Sequence, residues 1–399
     1  MVHDAHSIGI DAAALARTMA PLGEARDLPG EAYTSPAVFA WEQRAFFAGS
    51  WMCVGRSNVV SEPGSQRSVR IGDEGVVLVR DQTGVLRAFF NVCRHRGHEV
   101  VETGETIRQR TIQCPYHGWI YNLDGTLRGA PGFRDVAGFD QSEHSLAPVR
   151  SAEWRGWVFV NASGDAPEFA DHVGDLEDLV RDHEPERLSV AASHEYVIRA
   201  NWKVITGNYH ECYHCSNIHP ELCRVSPIDS GLNYNPAGAW VGGPMDLMDH
   251  AQTMSLTGES HGVVLRGLDE PKRRQVFYLN LLPNLLLSLH PDYVLAHRLE
   301  PVSETLTRVE CEWLFPPEAL AEDGFDPKYA VEFWDITNRQ DWHACESVQR
   351  GVASRAFRPG PLSIREDAVH QFLALVAKSY LEGRVAAPPP HRTTRVTPA

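Results

Sequence analysis

The sequence has few cysteines, no long apolar run and no excess of basic residues. Eight cysteines in 399 residues are too few for a disulfide scaffold. The best apolar run, Tyr278 to Leu289, is interrupted by Asn280 and Pro283 and is shorter than the roughly 20 residues that span a bilayer. The 37 Lys and Arg residues against 52 Asp and Glu give a net charge of −15. This charge disfavours nucleic acid and anionic membranes as partners and is compatible with a small-molecule ligand.

The start of the sequence also lacks the features of a secretory signal. His3, Asp4 and His6 stand where a signal peptide has a basic and then an apolar segment. We therefore expect a cytoplasmic protein. In a reducing compartment, each cysteine is expected to be a buried small side chain, a metal ligand or a reactive thiol.

The pattern of turns and apolar residues predicts several structural segments. Short strand-like segments separated by glycine predict an antiparallel β domain over residues 51–161. Residues 1–50 are predicted to form an arm and a helix that pack on a catalytic domain at 162–385, and residues 386–399 form a Pro-rich tail. Within the catalytic domain, Asn201 to His219 is predicted to be a helix that Pro220 ends. Three apolar strands and two closing helices follow, so the predicted fold class is α+β.

Two short motifs alternate cysteine with histidine. Cys93 and His95 form a Cys-x-His pair, and Cys114 and His117 form a Cys-x-x-His pair after an interval of 18 residues. A zinc site accepts any tetrahedral mixture of these ligands, but zinc fingers usually group the two cysteines together. One cysteine and one histidine per loop is the arrangement of a Rieske [2Fe-2S] cluster. The alternative interpretation is structural zinc or a set of unrelated core residues.

These motifs resemble those of the Rieske non-haem iron oxygenases. The segments 93–97 (CRHRG) and 114–119 (CPYHGW) nearly reproduce the family signature, with a slightly longer interval between them. The resemblance implies an antiparallel β Rieske domain whose cluster ligands are Cys93, His95, Cys114 and His117. It also implies a helix-grip catalytic domain, in which helices pack on an antiparallel sheet.

A second group of metal-binding residue types lies in the predicted helix before Pro220. On an ideal helix, His214 and His219 would point about 140° apart, so they converge only if the helix opens near its end. Two histidines and one carboxylate form the facial triad that binds Fe(II) and leaves positions free for dioxygen. A zinc site that uses Cys212 or Cys215 is the alternative.

The third ligand is expected in the helix predicted over residues 329–351. Asp335 and Glu346 share a face with basic residues at ion-pair spacing. Asp341 lies instead on an apolar stripe, where a carboxylate needs a compensating partner such as a metal. We therefore predict that His214, His219 and Asp341 bind a mononuclear iron.

The resemblance also assigns roles to residues beside the triad. In the family, an acidic residue at the place of Glu211 joins the iron of one subunit to a cluster histidine of the next. This implies that Glu211 bonds to His117 of the partner subunit in a head-to-tail homotrimer. Asn208 is placed with Glu211 among the catalytic residues. Gly207 departs from the family, in which an acidic residue commonly precedes this asparagine.

The source of electrons and the substrate follow from further features. The sequence has neither a Gly-x-Gly-x-x-Gly dinucleotide loop nor a plant-type ferredoxin run, so electrons from NAD(P)H must arrive through a separate flavin or iron–sulfur reductase. Segments such as 211–215 (ECYHC) and 283–293 (PNLLLSLHPDY) are similar to the branch that oxidises quaternary ammonium compounds. This similarity implies hydroxylation of an N-methyl group by dioxygen and release of formaldehyde. Tyr209, Trp240 and Tyr293 are candidates for binding the cation through their rings.

Two other functions remain open from the sequence. An aromatic-ring hydroxylating dioxygenase would use the same metals with an apolar pocket. An electron-transfer protein would need the cluster alone, and the predicted triad disfavours it.

Overall fold

The computed structural model describes residues 9–385, which divide into two compact units. The strand unit is Gln43–Phe169, and the helix–sheet unit combines the described residues up to Glu42 with those from Ala170 onwards. The strand unit is therefore inserted in the sequence of the other unit. It extends beyond the predicted limits of 51 and 161, because Asn161 donates to the Ala48 carbonyl and Trp51 donates to the Pro167 carbonyl. The Pro-rich tail at 386–399 lies outside the described residues.

The strand unit contains ten antiparallel strands. Its strands are β1 (Met52–Arg56), β2 (Ser65–Ile71), β3 (Glu74–Arg80), β4 (Leu86–Phe90), β5 (Thr106–Arg108), β6 (Ile112–Gln113), β7 (Ile120–Tyr121), β8 (Leu127–Gly129), β9 (Pro148–Trp154) and β10 (Trp157–Asn161). One sheet has the order β1-β10-β9-β4-β3-β2-β5, and β6, β7 and β8 form a second. A π-helix (Gln43–Ala48) and two 3-10 helices (Ser57–Val60 and Gln141–His144) complete the unit. Its core includes Val77, Phe89, Cys93 and Cys114.

The helix–sheet unit contains one six-stranded antiparallel sheet and several helices. Its helices are α1 (Ala12–Thr18), α2 (Glu31–Thr34), α3 (Pro36–Glu42), α4 (Phe169–Val173), α5 (Leu176–Val180), α6 (Trp202–Tyr209), α7 (Cys215–Ile218), α8 (Leu222–Val225), α9 (Pro317–Leu320), α10 (Lys328–Val352) and α11 (Asp367–Glu382). Its strands are β11 (Ser189–Ile198), β12 (Trp240–Asp246), β13 (Gln275–Leu281), β14 (Leu285–Leu289), β15 (Val294–Ser303) and β16 (Leu306–Phe315). The sheet order is β11-β16-β15-β14-β13-β12. Three 3-10 turns, Arg181–His183, Pro185–Arg187 and Lys272–Arg274, lie between these elements.

Helix α10 packs against this sheet through one face. Its buried residues include Phe333, Trp334, Asn338 and Cys345, which recur at the spacing of a helical stripe. Asn338 accepts from His297 of β15. The whole of β14 is buried, which explains its continuous apolar sequence. Antiparallel sheets with helices confirm the α+β prediction.

The segment before Pro220 is not the single helix that the sequence analysis predicted. The Asn201 side chain caps α6 by accepting from the Lys203 backbone N–H at 3.0 Å. The helix ends at Tyr209, and the short helix α7 begins only at Cys215. Between them, the Glu211 carboxylate accepts hydrogen bonds from the backbone N–H groups of Tyr213 and His214. Such bonds compete with helical ones, so the helix breaks well before the proline.

A buried ion pair joins three helices of the helix–sheet unit. Lys203 of α6 lies 2.6 Å from the carboxylate of Glu42, the last residue of α3, and both side chains are fully buried. Trp202 donates to the same carboxylate at 2.9 Å, and Tyr380 of α11 also donates to it. Within residues 9–385, no helix is long and apolar enough to cross a membrane.

Candidate active site

Two loops of the strand unit present the Cys and His motifs in the same way. The Gly97 N–H donates to the Cys93 carbonyl at 3.0 Å, and the Gly118 N–H donates to the Cys114 carbonyl at 3.1 Å. Both glycines have positive φ, 76° and 70°, which closes each turn at little steric cost. The two motifs therefore form equivalent turns, although their spacings differ by one residue.

The four side chains of these loops lie together and fit a cluster with two iron atoms. The His95 and His117 rings are 4.6 Å apart, and both cysteines are free thiols buried in the core. The Nδ1 atom of His95 is buried without a hydrogen-bond partner, as expected for a metal ligand. Burial raises the pKa of the Cys114 thiol, so a thiolate there needs the compensating positive charge that iron provides. The Cys93 sulfur also contacts the Tyr121 hydroxyl at 3.2 Å.

The predicted triad comes together in the helix–sheet unit. The Nε2 atoms of His214 and His219 are 3.2 Å apart, and they lie 3.3 and 2.9 Å from Oδ1 of Asp341. First-row metals bind such atoms at about 2.1 Å, so two adjacent ligands at a right angle are about 3.0 Å apart. One metal ion therefore fits all three donors. Because the chain is not helical between α6 and α7, the His214 ring can point towards the His219 ring. Asp341 comes from α10.

Each donor of the triad is held by a further side chain. Glu211 accepts from Nδ1 of His214, and Gln340 accepts from Nδ1 of His219 at 2.7 Å. In neutral rings these bonds would hold the proton on Nδ1, so that each Nε2 atom can bind a metal ion instead of a proton shared with Asp341. Asn208 donates to Oδ1 of Asp341 at 3.1 Å, so it positions the carboxylate. No atom lies within 4 Å of a Cβ added at Gly207, so a lack of space for a side chain does not explain why glycine stands at this position.

The electrostatics of the triad favour a cation. Burial alone would raise the pKa of Asp341, but hydrogen bonds from His214 and His219 lower it below its usual value. Burial opposes protonation of His214, but bonds to Asp341 and Glu211 outweigh burial and raise its pKa to about 9. The three groups thus attract positive charge, whether it is a proton or a metal ion.

A cavity of about 680 Å³ opens beside the triad. Five tyrosine and tryptophan side chains line it: Tyr209, Tyr213, Tyr278, Trp334 and Trp342. The ring centroids of Tyr209 and Tyr278 are 5.9 Å apart, and those of Tyr278 and Trp334 are 6.2 Å apart. The described lining also contains the carboxylates of Glu211, Asp229, Asp341 and Asp367 against a single guanidinium, that of Arg365. The cavity therefore offers aromatic faces and an excess of negative charge.

Only one of the three aromatic residues predicted to contact substrate lies at this cavity. Tyr209 lines it and bonds through its hydroxyl to Ser288 at 3.0 Å. Trp240 and Tyr293 are not among the described lining residues. Trp240 donates to Asp175, and the Tyr293 hydroxyl donates to the Met254 carbonyl, so both are held in the core.

Several residues around the site were not predicted from the sequence. On α10, Trp334 lies two helical turns before Asp341 and Trp342 directly follows it. This proximity in the sequence was the available signal that both side chains lie near the iron site. Gln340 directly precedes Asp341. The expected roles of the cysteines did not include a disulfide, yet the structure joins Cys212 to Cys215. A Cys-x-x-Cys spacing was the available signal.

Comparison with known families agrees with the two units. Residues 50–140 match the model of the Rieske [2Fe-2S] domain. Residues 185–382 match the model of the ring hydroxylating alpha subunit (catalytic domain).

Relatives of known activity match most of the chain. The glycine betaine monooxygenase oxygenase subunit of Chromohalobacter salexigens is 31% identical over 84% of this chain and 81% of its own length. The carnitine monooxygenase oxygenase subunit of Acinetobacter pittii is 39% identical over 82% of this chain and 85% of its own length.

Solved structures of Rieske oxygenases also match this chain. A quaternary ammonium Rieske monooxygenase is 26% identical with a TM-score of 0.78, and the match covers 95% of this chain and 100% of that one. Naphthalene 1,2-dioxygenase from Rhodococcus sp. is 19% identical over 89% of this chain and 94% of its own, with a TM-score of 0.70, so it shares the fold alone.

The chain belongs to the Rieske non-haem iron oxygenases, among the oxygenase subunits of monooxygenases. The resemblance stated from the sequence is confirmed, together with the enzyme class and its cofactors, a Rieske [2Fe-2S] cluster and a mononuclear iron. A protein that only transfers electrons is excluded, because the match includes the catalytic domain.

Proposed function

We propose that this protein is the oxygenase component that hydroxylates an N-methyl group of a quaternary ammonium or betaine-like compound. The observation that carries the proposal is the cavity beside the triad, whose lining contains five tyrosine and tryptophan side chains and an excess of carboxylates. A quaternary ammonium group cannot donate a hydrogen bond, so aromatic faces and negative charge are the means of binding it. The activities of the betaine and carnitine relatives support the same substrate class.

The chain's own residues bind the iron and orient the substrate. We assign His214, His219 and Asp341 as the iron ligands, and Glu211, Gln340 and Asn208 as the side chains that hold them. The cluster and the iron, when bound, supply electron transfer and dioxygen activation. The aromatic rings then keep one methyl group towards the triad.

The overall reaction balances with two electrons. The substrate, dioxygen, two electrons and two protons give the N-hydroxymethyl compound and water. This hemiaminal collapses to formaldehyde, the demethylated amine and one proton. We propose that a separate flavin or iron–sulfur reductase delivers the electrons from NAD(P)H, and that the enzyme works in the cytoplasm.

A substrate panel tests the proposal. Glycine betaine, carnitine, choline and simple arenes are compared with a reductase and NADH, with oxygen uptake and formaldehyde as readouts. We expect stoichiometric formaldehyde with at least one methylated ammonium compound and no diol from arenes. Diol formation would support the alternative, an aromatic-ring hydroxylating dioxygenase.

A pair of variants tests the role of the rings. Tyr209→Leu removes a ring from the cavity, whereas Tyr209→Phe removes only the hydroxyl that bonds to Ser288. We expect a large rise in KM for the cationic substrate in Tyr209→Leu and a small one in Tyr209→Phe. Inhibition by the neutral carbon isostere, with tert-butyl in place of trimethylammonium, should weaken much less in Tyr209→Leu. Equal weakening of both ligands would show that shape, and not charge, governs binding.

A further inference from the structure

The turn that carries His214 is closed by a disulfide bond. Cys212 and Cys215 are joined across a turn whose Cα atoms are 4.9 Å apart, and His214 lies between them in the sequence. Both cysteines line the cavity beside the triad, so a small reductant or oxidant has access to them. A third cysteine, Cys223, donates to the Cys215 carbonyl at 3.4 Å and keeps a free thiol.

The sulfur of Cys215 lies among the atoms expected to bind iron. Its Sγ atom and one ring nitrogen each of His214 and His219 all lie within 4.8 Å of one another. A sulfur and a nitrogen bound to one tetrahedral zinc are about 3.5 Å apart. The same turn therefore contains two overlapping donor sets that share the histidines. One set is completed by the Asp341 carboxylate, and the other includes the Cys215 sulfur.

We propose that the Cys212–Cys215 disulfide controls which metal this site binds. A disulfide sulfur carries no negative charge and is a poor ligand, so in the oxidised chain two imidazoles and one carboxylate face the metal. That set leaves positions open and suits Fe(II). In the reduced chain, Cys215 adds a soft anionic ligand and closes a four-coordinate site of the kind that binds zinc. This inference rests on the ligands assigned under the proposed function.

The change of state balances without any group from the active site. Reduction breaks the S–S bond and takes up two electrons and two protons, which an external dithiol provides while it becomes a disulfide itself. In the reverse direction, hydrogen peroxide accepts the two electrons and two protons and leaves as two molecules of water.

Metal competition in the full-length protein tests the proposal. The protein is reduced anaerobically with a phosphine, desalted and incubated with equal amounts of Fe(II) and Zn(II), and an untreated sample is run in parallel. We expect about one zinc per chain in the reduced sample, with a Zn–S distance of about 2.3 Å by zinc X-ray absorption. The untreated sample should keep its iron and show no Zn–S contact.

Variants of the two cysteines separate this role from simple stabilisation of the turn. Both Cys212→Ser and Cys215→Ser remove the disulfide, but only Cys212→Ser leaves the Cys215 thiol. Cys212→Ser should therefore bind zinc through sulfur without a reductant, whereas Cys215→Ser should prefer iron even after reduction. Cys223→Ser, which keeps the pair, should behave as the wild type.

Two results would overturn the inference: the same metal content in both variants, or no Zn–S contact in the reduced wild type. Failure of the ligand assignment has a different signature. In that case His219→Ala would retain full iron in the untreated state, whatever the state of the cysteines.

Discussion

Three side chains of its own chain surround the Asp341 carboxylate. His214, His219 and Asn208 all lie near its Oδ1 atom. Asp335, six residues earlier on the same helix, instead bonds to Tyr196 and pairs with Arg339. Two carboxylates on one helix therefore have different tasks, and the difference follows from the side of the helix on which each lies.

This difference predicts the effect of removing each carboxylate. Asp341→Ala should lower the iron content from about three to about two atoms per chain and abolish turnover, while the cluster spectrum is unchanged. The matched variant Asp335→Ala should keep about three irons and remain active. Iron analysis, visible absorption and oxygen uptake measure the three quantities. Loss of the third iron in Asp335→Ala would show that the wrong carboxylate had been chosen.

Asp292 is a second buried carboxyl with an altered pKa. Burial raises its pKa to about 7, although hydrogen bonds from Thr253 and Tyr329 act in the opposite direction. Between the unfolded value of 3.8 and about 7, the unfolded chain has lost this proton and the folded chain keeps it. Stability from this group is therefore present at low pH and is lost as the pH rises through this window.

The matching variant is Asp292→Asn, which resembles the protonated form. Its stability relative to the wild type should increase by about 2 kcal/mol between about pH 5.5 and about pH 8. Asp81→Asn is the control. Despite burial, hydrogen bonds from Thr83, Val85 and Arg87 lower the pKa of Asp81 to about 2. The effect of Asp81→Asn on stability should therefore not change with pH between these two values. Urea unfolding at several pH values measures both, and a constant effect of Asp292→Asn would contradict the assigned pKa.

The elements show which features a sequence can predict and which it cannot. Helix α10 was predicted over residues 329–351 and spans Lys328–Val352, because its apolar periodicity is strong. The position of the break between α6 and α7 was not predicted, because it depends on hydrogen bonds between the Glu211 side chain and the backbone N–H groups of Tyr213 and His214. Trp240 and Tyr293, which were predicted to contact the substrate, are not among the described lining residues of the cavity for another reason. Trp240 donates to Asp175, and the Tyr293 hydroxyl donates to the Met254 carbonyl and accepts from Trp334. Periodicity does not reveal these bonds.

The junction of α3, α6 and α11 leads to a prediction about stability. Glu42→Gln should cost about 3 to 5 kcal/mol of unfolding free energy, because it leaves the buried Lys203 ammonium without its counter-charge. Glu382→Gln removes a partner from the exposed pair with Lys378 and should cost less than about 1 kcal/mol. Chemical unfolding of both variants measures the difference. A similar cost for the two would mean that Lys203 is already neutral in the native protein.

At the scale of the whole molecule, the cluster and the iron belong to different compact units. Electron transfer weakens steeply with distance, and the sequence resemblance implies that Glu211 bridges to His117 of the partner subunit in a trimer. In each chain, Glu211 also holds His214, so a variant at Glu211 would change both roles at once. A test of transfer between subunits therefore needs other residues.

Complementation between inactive chains provides that test. His95→Ala should lack the cluster, and Asp341→Ala should lack the iron, so each alone is inactive. When the two are co-expressed, mixed oligomers should regain turnover, because a cluster in one subunit can serve the iron of the next. Separate purification and mixing without subunit exchange is the control. Complete inactivity of isolated mixed oligomers would show that electrons pass within one chain.

The insertion of one unit into the sequence of the other has a consequence for biosynthesis. Glu42 leaves the ribosome 161 residues before Lys203 and 338 residues before Tyr380, its partners in the buried junction. At about 5 to 20 residues per second, the second interval lasts roughly 20 to 70 s. The strand unit is contiguous, so it can fold and receive its cluster during that time. Insertion of iron into the helix–sheet unit must wait for the last helix, so the nascent enzyme acquires its electron carrier before its oxidising centre.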